Sequence, residues 1–178
     1  IAYGSSAPPA NDAFANRIGL SGSSVSTTGS NVNATAELGE PAHAGNTAAR
    51  SVWWKWTASQ TGRVTLSTAG SGFDTVLAVY TGSSLASLVE VTSNDDSGDG
   101  LTSECTFFVT AGTTYAIAVD GYQGASGNVA LALTFTQTND LYFTDFESFV
   151  SGADALAGND GWDSTNYSDG ASGIFQGF

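Results

Sequence analysis

The feature that most limits the fold of this chain is a set of short segments in which apolar and polar residues alternate. In residues 129–135 the odd positions are Val, Leu, Leu and Phe, and the even ones are Ala and Thr. This period of two predicts a strand with one face in a core. Eight or nine such segments, separated by Gly-, Ser- and Asp-rich turns, are predicted at 24–28, 32–37, 51–57, 64–68, 75–80, 88–92, 101–110, 113–120 and 129–135.

This spacing predicts an all-β chain folded as an antiparallel, jelly-roll-type β-sandwich, with a closed barrel as the alternative. Residues 75–80 are apolar almost throughout, which indicates a central strand covered on both faces. In residues 101–110 the alternation predicts that Leu101, Cys105 and Phe107 face inward. The one helical candidate is a single turn near residues 11–18.

Charge excludes two classes of partner. The chain has 4 Lys and Arg against 17 Asp and Glu, a formal net charge of −13. Nucleic acids and anionic membranes both require a basic face, which four cations cannot make. No apolar run approaches the ~18 residues of a membrane-spanning helix, so no membrane insertion is expected.

The composition changes near residue 138, which predicts a sandwich domain over 1–138 and an acidic, Gly- and Asp-rich tail over 139–178. The tail opens with an aromatic cluster that has strand-like character and could serve assembly: Tyr142, Phe143, Phe146 and Phe149. A segment of this length cannot close a sandwich alone. It is expected to be a docked segment, a donor strand for another chain, or a truncated second module.

Seven stretches in order carry a family resemblance: 11–16 (NDAFAN), 39–45 (GEPAHAG), 51–56 (SVWWKW), 73–82 (FDTVLAVYTG), 93–96 (SNDD), 111–115 (AGTTY) and 118–122 (AVDGY). Over about residues 11–135 the chain resembles the bacterial pre-peptidase C-terminal (PPC) domain family. The resemblance implies a non-catalytic β-sandwich attached to secreted bacterial proteins, with roles in adhesion, secretion or spacing. The tail more weakly resembles the start of a lectin-like jelly-roll module.

The same resemblance implies a calcium site. Asn11-Asp12 matches the Asn-Asp pair that binds calcium in the related collagen-binding domains of clostridial collagenases. The further acidic ligands of those relatives precede the strand equivalent to 51–57. Residues 47–50 contain no acid here, so the resemblance does not supply a complete site.

A second calcium candidate comes from the residues themselves. The loop 94–100 (NDDSGDG) offers Asn94, Asp95, Asp96 and Asp99, and Asp74 opens a buried strand that could end beside it. Hard cations such as Ca²⁺ prefer six to eight oxygen ligands from such groups. The alternative is a solvated acidic turn, which Asp and Asn also favour. Asp160, Asp163 and Asp169 form a third, weaker cluster.

Catalysis has little support, and no catalytic residue is predicted. The chain has one histidine, His43, and no Gly-x-Ser-x-Gly nucleophile elbow. Cys105 is expected to be buried and inert. Glu40 and His43 lie in a Gly- and Pro-rich loop and either contact a ligand, act as a pH-sensitive lock, or pin the loop against Trp rings. A pair of glycosidase carboxylates is not excluded by the sequence.

Exposed aromatic and amide groups are the candidates for ligand binding, since sugar rings stack on aromatic faces while polar side chains bind the hydroxyls. The candidates are Trp53, Tyr122, Gln123 and Trp162. Trp54 and Trp56 are predicted to lie in the core, and Trp53 is predicted to lie on the opposite face of the strand. Packing under a loop is the alternative for each candidate.

These observations favour a secreted, extracellular or cell-surface adhesion module for polysaccharide or another polymer, stabilised by calcium. The chain begins at Ile1 without Met, which fits an exported segment whose leader has been removed. The first alternative is a structural subunit of an extracellular filament or surface layer, in which residues 141–149 add a strand to a neighbour. The second alternative is a fragment of a polysaccharide-active enzyme.

Overall fold

Nine strands form the framework of the computed structural model, which describes residues 7–98 and 100–137. Their bounds are β1 Ile18–Leu20, β2 Ser24–Ser30, β3 Val52–Thr57, β4 Gly62–Ser67, β5 Thr75–Thr81, β6 Val89–Asn94, β7 Glu104–Val109, β8 Thr114–Gly121 and β9 Asn128–Thr136. Within this part of the chain the helical elements are short 3₁₀ turns at Phe14–Asn16, Leu85–Ser87 and Tyr122–Gly124. None of them is long enough to cross a bilayer.

The strands form two sheets, which confirms the predicted β-sandwich. Sheet A has the order β1-β3-β8-β5-β6, and sheet B has the order β2-β9-β4-β7. All pairings are antiparallel except that of β1 with β3. The domain division at residue 138 and all predictions for the tail concern residues outside the described part, and they stay predictions.

The main core contains the side chains that the period-two pattern predicts to face inward. Its larger members are Val52, Trp54, Trp56, Val64, Leu66, Leu77, Val79, Cys105, Phe107, Val109, Tyr115, Ile117, Val119, Val129, Leu131 and Leu133. Burying a side chain of this size stabilises a fold by about 1.5–3 kcal/mol. Alternation along each strand therefore determines which sheet face becomes the core.

A second cluster covers the other face of sheet A and contradicts one prediction. It contains Phe14, Trp53, Ala78, Tyr80, Ala116 and Ala118. The Trp53 ring is 0 % exposed and makes edge contacts with Phe14 and His43 from two irregular segments. Trp53 is therefore not a sugar-stacking platform, because these segments cover its side of the sheet. The doubly covered strand predicted at residues 75–80 is confirmed in β5.

Two further predictions are wrong in detail, and one strand was not predicted. Residues 32–37 form no strand and belong to the irregular segment between β2 and β3. β1 is missed because three residues are too short to show a period. Leu101 is 61 % exposed, since β7 begins only at Glu104 and the backbone before it loops across the start of β5.

Cys105 is buried on β7, as predicted, and its reactivity can be tested. Burial is the main cause that raises the pKa of the Cys105 thiol to about 11 from its usual 9.0. Because the thiolate is the nucleophile, we expect native Cys105 to react with a disulfide reagent at pH 8 at least about tenfold more slowly than in denaturant. A native rate equal to the denatured rate contradicts this assignment. The denatured protein serves as its own control.

Candidate cation site and its surroundings

Three carboxylates meet where β5 begins and β6 ends. Asp74 directly precedes β5, and Asp95 and Asp96 directly follow β6. These strands pair antiparallel, so the start of one lies beside the end of the other. One oxygen from each of Asp74, Asp95 and Asp96 lies within 4.8 Å of the other two. Of the residues predicted as ligands in this region, these three are therefore brought together.

Two of these carboxylate oxygens have no protein partner. Oδ1 of Asp74 and Oδ1 of Asp95 are buried and accept no hydrogen bond. The second oxygen of Asp95 accepts a bond of 3.2 Å from the Asn46 side chain. Buried acceptors are normally satisfied, and one without a partner costs about 1–3 kcal/mol. The unpaired oxygens mark a place that suits a bound cation.

The electrostatics of the three carboxylates also favour a bound cation. Desolvation raises the pKa of Asp74 above its usual value, and the neighbouring charges of Asp96 and Asp95 raise it further. Each of these effects disfavours the ionised form of a carboxyl group. A divalent cation between the three groups would reverse the effect of the like charges.

Hydroxyl groups hold the 95–103 loop against the start of β5. The Ser103 hydroxyl lies 2.6 Å from the carbonyl oxygens of both Thr75 and Asp95. The Ser103 amide donates to the Thr68 hydroxyl at 2.8 Å, and that hydroxyl is 2.6 Å from the hydroxyl of Thr75. Thr68, Thr75 and Ser103 are buried. This network fixes the backbone that carries Asp74 and Asp95.

Asn94 shapes the loop that follows β6. Its amide nitrogen donates to the Asp96 carbonyl at 3.0 Å, and its amide oxygen accepts from the Glu104 amide at 2.9 Å. Both ends of the side chain are therefore occupied. These bonds close the loop, and the role of Asn94 as a cation ligand stays a prediction. Asp99 lies outside the described residues.

The pair Asn11-Asp12 also has protein partners. The Asn11 side chain is buried and donates to the Trp53 carbonyl at 3.0 Å. The two oxygens of Asp12 accept from the Thr35 amide at 2.6 Å and from the Thr35 hydroxyl at 3.0 Å. In the described residues Asp12 joins no group of three metal-ligating side chains. These bonds tie the N-terminal segment to β3 and to residue 35, and the calcium role implied by the resemblance stays a prediction.

The backbone of Tyr122 bonds to that of Asp74, and Gln123 follows it in the same turn. The Tyr122 amide donates to the Asp74 carbonyl at 3.0 Å, immediately after β8 ends. Both residues are exposed, as a ligand-binding role requires. The sequence identified Tyr122 and Asp74 separately, and the pairing of β5 with β8 brings their backbones together. Trp162 and the aromatic cluster Tyr142, Phe143, Phe146 and Phe149 lie outside the described residues.

Sequence reasoning missed the role of Asp120. Its buried carboxylate accepts three backbone bonds of 2.7–2.8 Å, from Ala49, Arg50 and Gly121. These bonds attach the segment before β3 to the end of β8. The sequence signal for this role is a single carboxylate near the end of an apolar strand, since a carboxylate buried there requires hydrogen-bond donors.

His43 pins the same irregular segment over sheet A. Its Nε2 lies 3.0 Å from Oε1 of Glu40, and its Nδ1 lies 2.7 Å from the Tyr80 hydroxyl. The Tyr80 hydroxyl also donates to the Ala42 carbonyl at 3.2 Å. The His43 side chain is fully buried, and that of Glu40 is 1 % exposed. Of the roles predicted for this pair, the loop pinned against a Trp ring fits, whereas direct ligand contact does not.

Comparison with known proteins finds two solved structures that are similar to this chain at low identity. No family model and no curated protein matches the chain. The chain is similar to the structure of PliG from Aeromonas hydrophila, a periplasmic lysozyme inhibitor of g-type lysozyme. Identity is 15 %, the TM-score is 0.46, and the match covers 67 % of this chain and 96 % of that one.

The pre-peptidase C-terminal domain of a collagenase from Bacillus anthracis is also similar. Identity is 16 %, the TM-score is 0.43, and the match covers 66 % of this chain and 92 % of that one. That structure belongs to the family that the sequence motifs resemble. Identities this low leave ligand, partner and activity to be argued from the residues of this chain.

Proposed function

We propose that this chain is a non-catalytic, calcium-binding β-sandwich module that attaches an extracellular or periplasmic protein to a polymer. The observation that carries the proposal is the cluster of Asp74, Asp95 and Asp96, with two buried oxygens that lack hydrogen-bond partners. These three residues would hold the ion. Once bound, the ion would supply charge neutralisation and join the start of β5 to the loop after β6.

Calcium suits this donor set better than other common cations. The cluster offers only carboxylate oxygens, which hard cations prefer, and no nearby His or Cys that would favour zinc. The donors come from two irregular loop positions, and Ca²⁺ accepts irregular geometry more readily than Mg²⁺ does. Extracellular modules bind Ca²⁺ with dissociation constants of roughly 10⁻⁴–10⁻³ M. A site of this kind would be filled outside the cell.

Two observations support a non-catalytic role. His43 is buried, and both of its ring nitrogens are engaged by Glu40 and Tyr80. Cys105 is buried in the core with a raised thiol pKa. Neither side chain reaches solvent, where a substrate would bind.

Thermal unfolding with calcium and with a chelator tests the cation site. At a free calcium concentration 100 times the dissociation constant, we expect stabilisation of about 2.7 kcal/mol. For a chain of this size that corresponds to a rise in Tm of about 5–10 °C. Asp74→Asn should abolish most of the rise, whereas Glu104→Gln, which removes an exposed carboxylate outside the cluster, should leave it intact. Equal Tm values in calcium and in chelator contradict the site.

In the presence of chelator, Asp74→Asn should raise the Tm of the calcium-free protein. Folding raises the pKa of Asp74. The group therefore stabilises the fold fully at pH values below its pKa in the unfolded chain, and this stabilisation is lost as pH rises through its pKa in the folded chain. At neutral pH the ionised group opposes folding of the calcium-free chain. Asp74→Asn should therefore raise Tm in chelator at pH 7 while it removes the response to calcium. A lower Tm in chelator would show that Asp74 has another structural partner.

A further inference from the structure

The buried network of Glu40, His43 and Tyr80 can hold two different numbers of protons. We propose that this network is a pH-sensitive lock. In mild acid His43 takes up a proton and binds the segment between β2 and β3 more firmly to sheet A, and in mild alkali it releases the proton and the attachment weakens. This inference is independent of the cation site, and it holds whether or not the chain binds calcium.

The network attaches the segment to an inner strand of sheet A. Glu40 and His43 belong to the segment, and Tyr80 lies on β5, which has a paired strand on each side. The backbones of His43 and Asn46 exchange two hydrogen bonds of 2.8–2.9 Å, which fix the backbone that carries the His43 ring. The strength of the bonds to this ring therefore determines how firmly the segment is held.

The single proton of the Tyr80 hydroxyl has two acceptors within reach. His43 Nδ1 lies 2.7 Å from the hydroxyl oxygen, and the Ala42 carbonyl oxygen lies 3.2 Å from it. A hydroxyl rotates to suit its partners, and its oxygen can accept a bond as well as donate one. Tyr80 can therefore donate to a neutral His43, or accept from a protonated one while it donates to Ala42.

Glu40 accepts from His43 in both states. Its Oε1 lies 3.0 Å from Nε2 of His43, and its Oε2 accepts from the backbone amide of Glu37 at 2.8 Å. In neutral His43 the ring proton lies on Nε2, since Nδ1 is then the acceptor for Tyr80. In protonated His43 both ring nitrogens donate, one to Glu40 and one to Tyr80. His43 thus changes charge without losing a hydrogen bond and without movement of a heavy atom.

Burial makes the protonated network the more firmly held one. The His43 side chain is 0 % exposed, and that of Glu40 is 1 % exposed. Beside a neutral ring the Glu40 carboxylate is an unpaired buried charge, which is costly in a protein interior. A proton on His43 balances this charge, and hydrogen bonds that involve ionised groups are roughly twice as strong as neutral ones. The protonated network therefore resists opening of the segment more than the neutral network does.

The neighbouring acidic groups leave His43 as the group that titrates near neutral pH. Burial raises the pKa of Tyr80, and the charges of Glu90 and Glu40 raise it further, so Tyr80 stays a hydroxyl. Glu37 accepts a hydrogen bond from the Phe14 amide at the edge of the network. Ordinary carboxyl groups stay ionised between pH 5 and pH 9, whereas histidine changes charge in this range.

The other elements packed against the network add no group of this kind within the described part of the chain. The N-terminal segment, β3 and β8 contribute Phe14, Trp53, Ala116 and Ala118. On β3 the exposed cation is Lys55, and Arg17 stacks on the Phe14 ring at 3.5 Å. Lysine and arginine keep their charge over the range in which histidine titrates.

NMR of the His43 ring tests the lock in the unmodified chain, which has a single histidine. The shifts of the two ring nitrogens distinguish a protonated nitrogen from a bare one. We expect a proton on Nε2 alone at pH 9, and protons on both nitrogens at pH 5, in a protein that is folded at both pH values. A ring that keeps the same protonation at pH 5 and pH 9 overturns the proposal, whichever state it keeps.

Chemical denaturation of matched variants tests whether protonation strengthens the attachment. Glu40→Gln leaves the protonated ring without a carboxylate partner, whereas Glu90→Gln removes an exposed carboxylate that accepts from Ser93. From pH 9 to pH 5, the unfolding equilibrium constant of the parent chain should fall at least about tenfold relative to that of Glu40→Gln, as expected for one hydrogen bond to a charged group. Glu90→Gln should respond as the parent does. Equal responses of the parent and Glu40→Gln overturn the proposal.

Discussion

Replacing His43 with alanine should destabilise the domain by about 3–5 kcal/mol, because it leaves a buried carboxylate without its partner. The Glu40 side chain is 1 % exposed, and its Oε1 lies 3.0 Å from Nε2 of His43. The Tyr80 hydroxyl would lose a contact of 2.7 Å in the same substitution. Chemical denaturation followed by tryptophan fluorescence measures the loss.

Two controls separate the effect of the buried charge from that of lost packing. In the double variant Glu40→Gln/His43→Ala the remaining group is neutral, so part of the lost stability should return. Leu38→Ala changes a fully exposed side chain in the same segment, and we expect a change within about 0.5 kcal/mol. If His43→Ala costs less than about 1 kcal/mol, the network does not hold the segment against sheet A.

Replacing Asp120 with alanine should cost a similar amount, about 3–5 kcal/mol. The substitution removes the acceptor of three backbone N–H groups, of Ala49, Arg50 and Gly121, and each unpaired buried donor costs about 1–3 kcal/mol. Water reaching the partly buried residues 49 and 50 reduces the sum. Amide hydrogen exchange at Ala49 and Arg50 should accelerate by far more than exchange in the centre of β4.

Asp120→Asn is the matched variant for this position. It keeps one side-chain oxygen as an acceptor in a group of nearly the same shape, so it should lose clearly less stability than Asp120→Ala. Equal losses in the two variants would show that space filling, and not hydrogen bonding, is the role of Asp120.

The two substitutions act on one segment and should also affect the cation site. The backbones of His43 and Asn46 exchange two hydrogen bonds of 2.8–2.9 Å, and the Asn46 side chain donates to Asp95 at 3.2 Å. Asp120 fixes the segment four residues further on. Loosening either attachment frees the donor that orients Asp95. We therefore interpret the segment between β2 and β3 as a support for the site as well as a cover for sheet A.

The sequence by itself determined the sandwich and the composition of its core. Alternation placed Trp54, Leu131 and Cys105 inside correctly, because a strand directs successive side chains to opposite faces whatever its neighbours are. It also identified Asp74 and the acidic loop as candidate cation ligands, because a concentration of carboxylates in a Gly-rich turn can be recognised from the sequence alone. The same alternation gave a wrong prediction at Leu101, because this residue lies in a loop before β7, where side chains do not alternate between two sheet faces.

Only the tertiary structure decided which candidates share a site. Strand pairing brings Asp74 to Asp95, Asp96 and Tyr122, residues that are 21 to 48 positions apart in the sequence. It also buries Trp53 beneath two irregular segments that carry no periodic signal, and it occupies both ends of the Asn94 side chain. Periodicity reports the face on which a side chain lies. Whether that face is covered, and which partner satisfies a polar atom, depends on long-range contacts that local sequence does not encode.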